Sequence, residues 1–235
     1  MAVFSGPEIV NDGLIFSVDF GNPKNINGTT LTDIFNYNVS LTNSGAGTLS
    51  VTGGYADFTP ANLISTATYY TISNTNFNSI ASEMSFETVV YTTQNLGATS
   101  DFVRPISPRT TETSSPLGFG IGTDRISSEI NTSTGWNTAV TVASQLTGYN
   151  KWYHIVQTTS VTALTMRTYV NGVLVKNQPF TGTPNGGNGF LIGRGFYGGV
   201  ANFSGRVGYL KVYNRAITDN EVAQNFEAIR GRYAI

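Results

Sequence analysis

The segment from Lys151 to Phe180 leaves the backbone little freedom. It reads KWYHIVQTTS, then MRTYVNGVLVKNQPF, with apolar residues alternating with polar ones around Asn171-Gly172. That dipeptide accepts positive φ at both central positions of a type I′ turn. Successive side chains of a strand point to opposite faces, so a period of two on both sides of such a turn specifies a β-hairpin. Counting outward pairs Val170 with Val173, Tyr169 with Leu174 and Thr168 with Val175, and each face receives a matched set of side chains.

The rest of the chain repeats the theme. Gly13 to Phe20 reads as a strand followed by the turn Gly21-Asn-Pro-Lys24. Short pieces at Val39 to Thr42, Thr48 to Thr52 and Tyr55 to Phe58, separated by glycines, read as an outer meander. Ala67 to Ser73 supplies another strand, and Met84 to Thr93, rich in β-branched and aromatic residues, a central one. Pro105 and Pro108 place the strand Phe102 to Ser107 near an edge or end it in a loop. Leu117 to Gly122 and Arg125 to Asn131 form a second hairpin, and Ala139 to Ala143 a short strand. Helical spacing appears only at the end, where Thr218 precedes Glu221 by three residues, ahead of Val222, Phe226 and Ile229. That is a capping box opening a short amphipathic helix. The expectation is an all-β, two-sheet antiparallel sandwich of jelly-roll type with one short C-terminal α-helix. Residues 13–235 form a single domain in this reading, preceded by an arm over residues 1–12.

Composition narrows the partners. Thirteen basic and fourteen acidic residues, only 11% of the chain being charged, give no basic run for nucleic acid or an anionic membrane. No apolar stretch approaches the length of a membrane span, and the start of the chain has no basic leader and apolar core of signal-peptide type. Cysteine is absent and His154 is the one histidine, which excludes disulfides and a His- or Cys-clustered zinc site.

Trp152-Tyr-His154, Tyr169-Val-Asn-Gly172, Leu191-Ile-Gly193, Phe203 to Gly208 and Val212 to Glu221 follow one another in an order and spacing that resembles the laminin-G-like, concanavalin A-like jelly-roll superfamily. The opening Gly13 to Asp19, with Asn22-Pro-Lys24, resembles the start of such domains in structural proteins of marine and cyanobacterial phages. The resemblance implies a non-enzymatic virion protein, a capsid decoration or cement subunit or a tail-associated module, located in the virion after assembly in the host cytoplasm. Its partners would be other virion proteins and copies of itself. The alternative is a carbohydrate-binding, host-recognition module with glycans as partners, and a less favoured one is a glucanase-like hydrolase.

Candidate functional residues are few. Hydrolases of this fold carry acids at alternate strand positions, because a retaining pair must stand about 5–5.5 Å apart. Glu83 and Glu87 share a face, but Ser85 occupies the position between them, and four residues of strand separate their Cα atoms by about 13 Å. They are expected to be a loop residue and a rim or paired carboxylate. His154 is expected to play a structural part, since no G-x-S-x-G elbow accompanies it. Trp136, Tyr149, Phe196 and Tyr197, in or beside Gly/Thr/Asn-rich loops, suit sugar stacking, the alternative being loop packing or a subunit interface. Trp152, on an alternating strand, is expected in the core. Phe4, Ile9 and Val10 would either dock the N-terminal arm on a neighbour or fold it against its own sandwich. No cofactor is called for, although Asp19, Asn22, Asp57 and Asp124 could supply oxygens to calcium.

Overall fold

The computed structural model describes residues 7–27, 30–31, 40–41, 50–58, 69–73, 83–93, 103–108, 117–122, 124–140, 146–185, 189–193 and 203–235. Along these run β1 (Leu14–Asp19), β2 (Ile26–Asn27), β3 (Thr30–Leu31), β4 (Ser40–Leu41), β5 (Ser50–Thr52), β6 (Tyr55–Asp57), β7 (Tyr70–Ser73) and β8 (Glu83–Thr92). There follow β9 (Val103–Pro108), β10 (Leu117–Ile121), β11 (Ile126–Thr132), β12 (Gly135–Val140), β13 (Lys151–Ser160), β14 (Thr165–Val170), β15 (Val173–Pro179), β16 (Gly189–Ile192) and β17 (Gly205–Tyr213), and the chain closes with α1 (Asp219–Tyr233).

Two antiparallel sheets form a sandwich. The first has the order β15-β14-β13-β8-β17-β6-β5, with β1 also paired to β17, and the second β12-β11-β10-β9-β16-β7-β4. Between them lie Phe16, Val18, Phe58, Phe86, Ile106, Phe119, Ile130, Ile155 and Phe190 among others. Each such side chain contributes about 1.5–3 kcal/mol by leaving water. Phe86 meets Phe190 edge-to-face across the gap at 4.7 Å. Some polar groups that enter the core bond across it: the Ser128 and Thr168 hydroxyls lie 2.7 Å apart, and the Gln157 amide donates to the Glu129 carbonyl at 3.1 Å. These pairings satisfy buried groups that would otherwise cost stability.

Helix α1 covers the outer face of the first sheet with Val222, Asn225, Ile229 and Tyr233. Its cap is the expected one. The Thr218 side chain accepts from the Glu221 amide at 3.3 Å, and the Thr218 amide donates to the Glu221 carboxylate at 2.7 Å. A sheet covered on one face by its partner sheet and on the other by a helix is buried twice, so Met84 to Val90 of β8 and Tyr153 to Thr159 of β13 are buried at every position. Gly172 permits the close approach of the helix: its φ is +78°, and a Cβ there would stand 2.9 Å from the Phe226 ring.

Local expectations fail at identifiable places. Val170 pairs with Val173 and Tyr169 with Leu174, but Thr168 pairs with Lys176, because a bulge makes Val175 an extra residue. The proline-containing strand β9 is interior, between β10 and β16. Two residues of β9, Arg104 and Pro105, oppose the single Gly120 of β10, so the proline lies in a bulge where its missing N–H breaks no ladder bond. The supposed outer meander is divided between sheets, β4 ending the second and β5 and β6 the first. The strand expected at Ala139 to Ala143 begins earlier, as β12.

Candidate functional site

The two acids of β8 have different environments. Glu83 is partly exposed and accepts from the Ser160 hydroxyl at 2.9 Å. Of the two expectations for Glu87, the paired carboxylate is the one present, and it is fully buried beneath α1. Its Oε1 accepts from Tyr209 at 2.6 Å and stands 3.2 Å from His154 Nε2 and 3.5 Å from the Lys211 ammonium. Its Oε2 accepts from Asn225 at 2.6 Å and Tyr213 at 3.0 Å. Burial opposes the charge, but Lys211 and the hydrogen bonds from His154 and Tyr209 outweigh it and hold the carboxyl well below the usual carboxylate range. The same burial, with Glu87 alongside, raises the Tyr209 and Tyr213 phenols. With Glu87 and His154 both at zero exposure, this cluster is a fastener between sheet and helix and offers a substrate no approach.

Asn225 extends the fastener to the N-terminal segment. Its Oδ1 accepts from the Val10 amide at 2.8 Å, Tyr213 donates to the Val10 carbonyl at 3.2 Å, and Gln224 donates to the Glu8 carbonyl at 2.7 Å. Val10 is buried and Ile9 packs beside Tyr209 and Ile229. Of the two expectations for these residues, folding against their own chain is the arrangement present; Phe4 lies outside the described residues.

Of the predicted sugar-stacking residues, Trp136 and Tyr149 lie among the described residues. Trp136 sits on β12, partly buried, and its indole nitrogen is buried without a hydrogen-bond partner among the described residues. The hydroxyls and amides around it are engaged with one another: Thr134 bonds the Thr181 carbonyl at 3.0 Å, and Asn137 bonds Thr132 at 3.1 Å. Tyr149 lies in the loop that enters β13, with Asn150 held by the Thr92 carbonyl at 2.7 Å. Phe196 and Tyr197 lie outside the described residues. The three carboxylates named for calcium pair with arginines. Asp19 pairs with Arg232 at 2.6 Å, Asp57 with Arg206 at 3.2 Å and Asp124 with Arg125 at 2.9 Å, while Asn22 accepts from the Lys24 amide. Among the described residues no three His, Asp or Glu side chains converge on a point where an ion could sit.

A feature that sequence reasoning missed lies on the outer face of the first sheet. The pairing of Asp57 with Arg206, Arg206 with Tyr91, and Tyr91 with Trp152 sets four side chains in a row across β6, β17, β8 and β13. At the usual strand spacing this row is roughly 14 Å long. The Arg206 guanidinium lies 4.6 Å from the Tyr55 ring centre and 5.0 Å from that of Tyr91. Trp152 stands 5.3 Å from Tyr91, 5.7 Å from Tyr55 and 4.9 Å from Tyr233. Trp152 therefore leaves the core and packs under the end of α1, partly exposed, as are Tyr55, Tyr91 and Arg206. The Tyr55 and Tyr91 phenols and the Trp152 indole nitrogen make no hydrogen bond to the described residues, whereas Arg206 and Asp57 bond each other. Partly exposed aromatic rings grouped with a guanidinium–carboxylate pair suit noncovalent capture of a ligand that has both apolar and hydrogen-bonding groups.

Comparison with known proteins supplies a family and a fold. A family model described as the concanavalin A-like lectin/glucanases superfamily matches residues 64–223. No curated protein matches the sequence. The receptor binding domain of botulinum neurotoxin C/D mosaic serotype superposes with a TM-score of 0.69 at 15% identity, covering 93% of this chain and 52% of that one. The binding domain of botulinum neurotoxin DC in complex with SialylT gives 0.70 at 15%, covering 94% and 52%. The botulinum neurotoxin serotype D ligand binding domain in complex with N-acetylneuraminic acid gives 0.69 at 15%, covering 92% and 51%. The chain spans about half the length of each of these structures, and at such identity the likeness is one of fold.

Proposed function

Starting from the premise that this chain belongs to the concanavalin A-like lectin/glucanases superfamily, we propose that it is a non-catalytic carbohydrate-binding domain. The observation that carries this reading is the row Asp57–Arg206–Tyr91–Trp152, with Tyr55 beside it. A pyranose presents an apolar C–H face and a rim of hydroxyls. The Tyr91 and Trp152 rings match the first, and the Arg206–Asp57 pair, able to donate and accept side by side, matches the second. The complexes of similar folds with SialylT and N-acetylneuraminic acid lend support by analogy of fold. The burial of Glu87 supports the non-catalytic part of the reading, since the acid that a glucanase mechanism would need is sealed beneath α1.

The test is a glycan array probed with the wild-type protein and with Tyr91→Ala and Arg206→Gln variants, each with and without calcium. Binding that falls in both variants while the melting temperature is kept supports the row. Silence of the wild-type protein across the array removes the reading. A second reading, a subunit of a virus particle, is favoured by the likeness of Gly13 to Asp19 to phage structural domains. It requires the protein to be present in purified particles by mass spectrometry, and a glycan-binding row facing outward from a particle is compatible with it.

A further inference from the structure

At the end of α1 opposite Tyr233, a groove of about 540 Å³ opens between the helix start and the β13–β14 hairpin. The pairing of Thr158 with Arg167 and of Ser160 with Thr165 brings these four side chains to the outer face of the sheet, and Asp219 stands over them from the first turn of the helix. The volume falls within the range of small-ligand sites. Six residues of β13 separate Thr158 from Trp152, so the groove lies about 20 Å from the aromatic row.

Thr158 is the informative residue. It is only 3% exposed, yet its hydroxyl has no hydrogen-bond partner among the described residues. Its neighbour Ser160 is fully engaged, donating to Glu83 at 2.9 Å and accepting from the Ala163 amide at 3.2 Å. Thr158 lines the groove, so its unpaired hydroxyl is open to a ligand there. Arg167 stands beside Thr158 across the strand pair. Its Nη1 donates to Asp219 Oδ1 at 3.1 Å, while its Nε is buried without a partner. Asp219 Oδ1 also accepts from Tyr169 at 2.7 Å, and Oδ2 remains open on a side chain that is 58% exposed.

The mixture of groups selects the ligand chemistry. The Arg167 and Asp219 charges stand together and cancel, so the groove favours neither an anion nor a cation. The Arg167 guanidinium adjoins an unused acceptor on Asp219 and a Thr158 hydroxyl able to donate or accept. The ligand that meets all three carries hydroxyls, which also donate and accept. Ala163 and Ala216 add small apolar patches for a C–H face.

We propose that this groove is a second carbohydrate subsite, which takes one uncharged sugar ring. The inference rests on the carbohydrate-binding reading, and it assigns that function a site apart from the aromatic row. Saturation-transfer NMR and titration with methyl α-mannopyranoside, methyl β-galactopyranoside and methyl β-glucopyranoside, alongside sodium sulfate, provide the test. At least one glycoside should bind, and Thr158→Val should weaken it about fivefold to tenfold, the equivalent of one hydrogen bond. The melting temperature should not fall, because that hydroxyl bonds no protein group. Arg167→Gln should weaken the same glycoside, while Tyr91→Ala leaves it unchanged. The proposal is overturned if no glycoside binds, if binding survives both groove substitutions, or if sulfate binds there in place of the glycosides. Array binding that depends on Tyr91 together with a silent groove sinks this inference alone; silence of both removes the functional reading with it.

Discussion

Replacing Glu87 by Gln keeps the volume of the side chain and removes its charge. Five groups now converge on that carboxylate: Tyr209, His154, Lys211, Tyr213 and Asn225. In the variant one oxygen becomes an NH₂ that faces donors, and Lys211, whose side chain is only 9% exposed, keeps its ammonium against the Tyr209 ring at 4.3 Å without a counter-charge. Removing one partner of a buried ion pair costs about 3–5 kcal/mol. At roughly 2–4 °C per kcal/mol for a chain of this size, the melting temperature should fall by about 6–20 °C. Differential scanning calorimetry at neutral pH measures this directly, with Glu83→Gln as the control, because Glu83 is partly exposed and accepts one hydrogen bond from Ser160. Adding Lys211→Met to Glu87→Gln should recover part of the loss by removing the stranded charge. A melting temperature for Glu87→Gln within about 2 °C of wild type, less than 1 kcal/mol at this scale, would refute the fastener argument.

Acid should weaken the protein through two carboxylates. The hydrogen bonds from Arg215 are the main reason Glu221 is lowered from 4.5 to about 2, and Glu87 is lowered further. A depressed carboxyl contributes stability that is complete above its unfolded value and is lost as pH falls through its folded one. The Glu221 share therefore disappears between about 4.5 and about 2, and a Glu221→Gln variant should show a shallower fall of melting temperature across that window than wild type. Gly172→Ala places a side chain at φ +78° and against Phe226, and should cost about 1–2 kcal/mol in denaturant unfolding. Thr218→Ala removes the helix cap and should cost about 0.5–2 kcal/mol in the same assay. Tyr91→Ala should weaken the best array glycan about fivefold to tenfold, as loss of an aromatic contact requires.

Near-neighbour chemistry made much of the fold legible. The Asn171-Gly172 turn, the Val170–Val173 and Tyr169–Leu174 pairs and the Thr218–Glu221 cap are interactions between residues a few positions apart, and local sequence specifies them. The candidate sites were less legible. A loop rich in polar residues signals sugar contact only while its groups are unused, and around Trp136 the hydroxyls and amides bond one another. An Asn at position 225 within the stripe Val222, Asn225, Ile229 and Tyr233 was a usable signal of a buried polar contact, since that position faces the sheet.

The sequence by itself determined that the chain is a two-sheet sandwich closed by a capped helix, because period and turn chemistry act over a few residues. Tertiary structure alone decided which sheet face lies under the helix. A period of two states that Trp152 and His154 share a face, but it does not state which face, and β8 and β13 are covered on both. It also decided which strands stand side by side. Asp57, Tyr91, Trp152 and Arg206 become one row, and Glu87 meets Tyr209, Tyr213 and Asn225, only after strands distant in sequence have paired. Contacts of that range depend on the register of the whole sheet, which no single segment encodes.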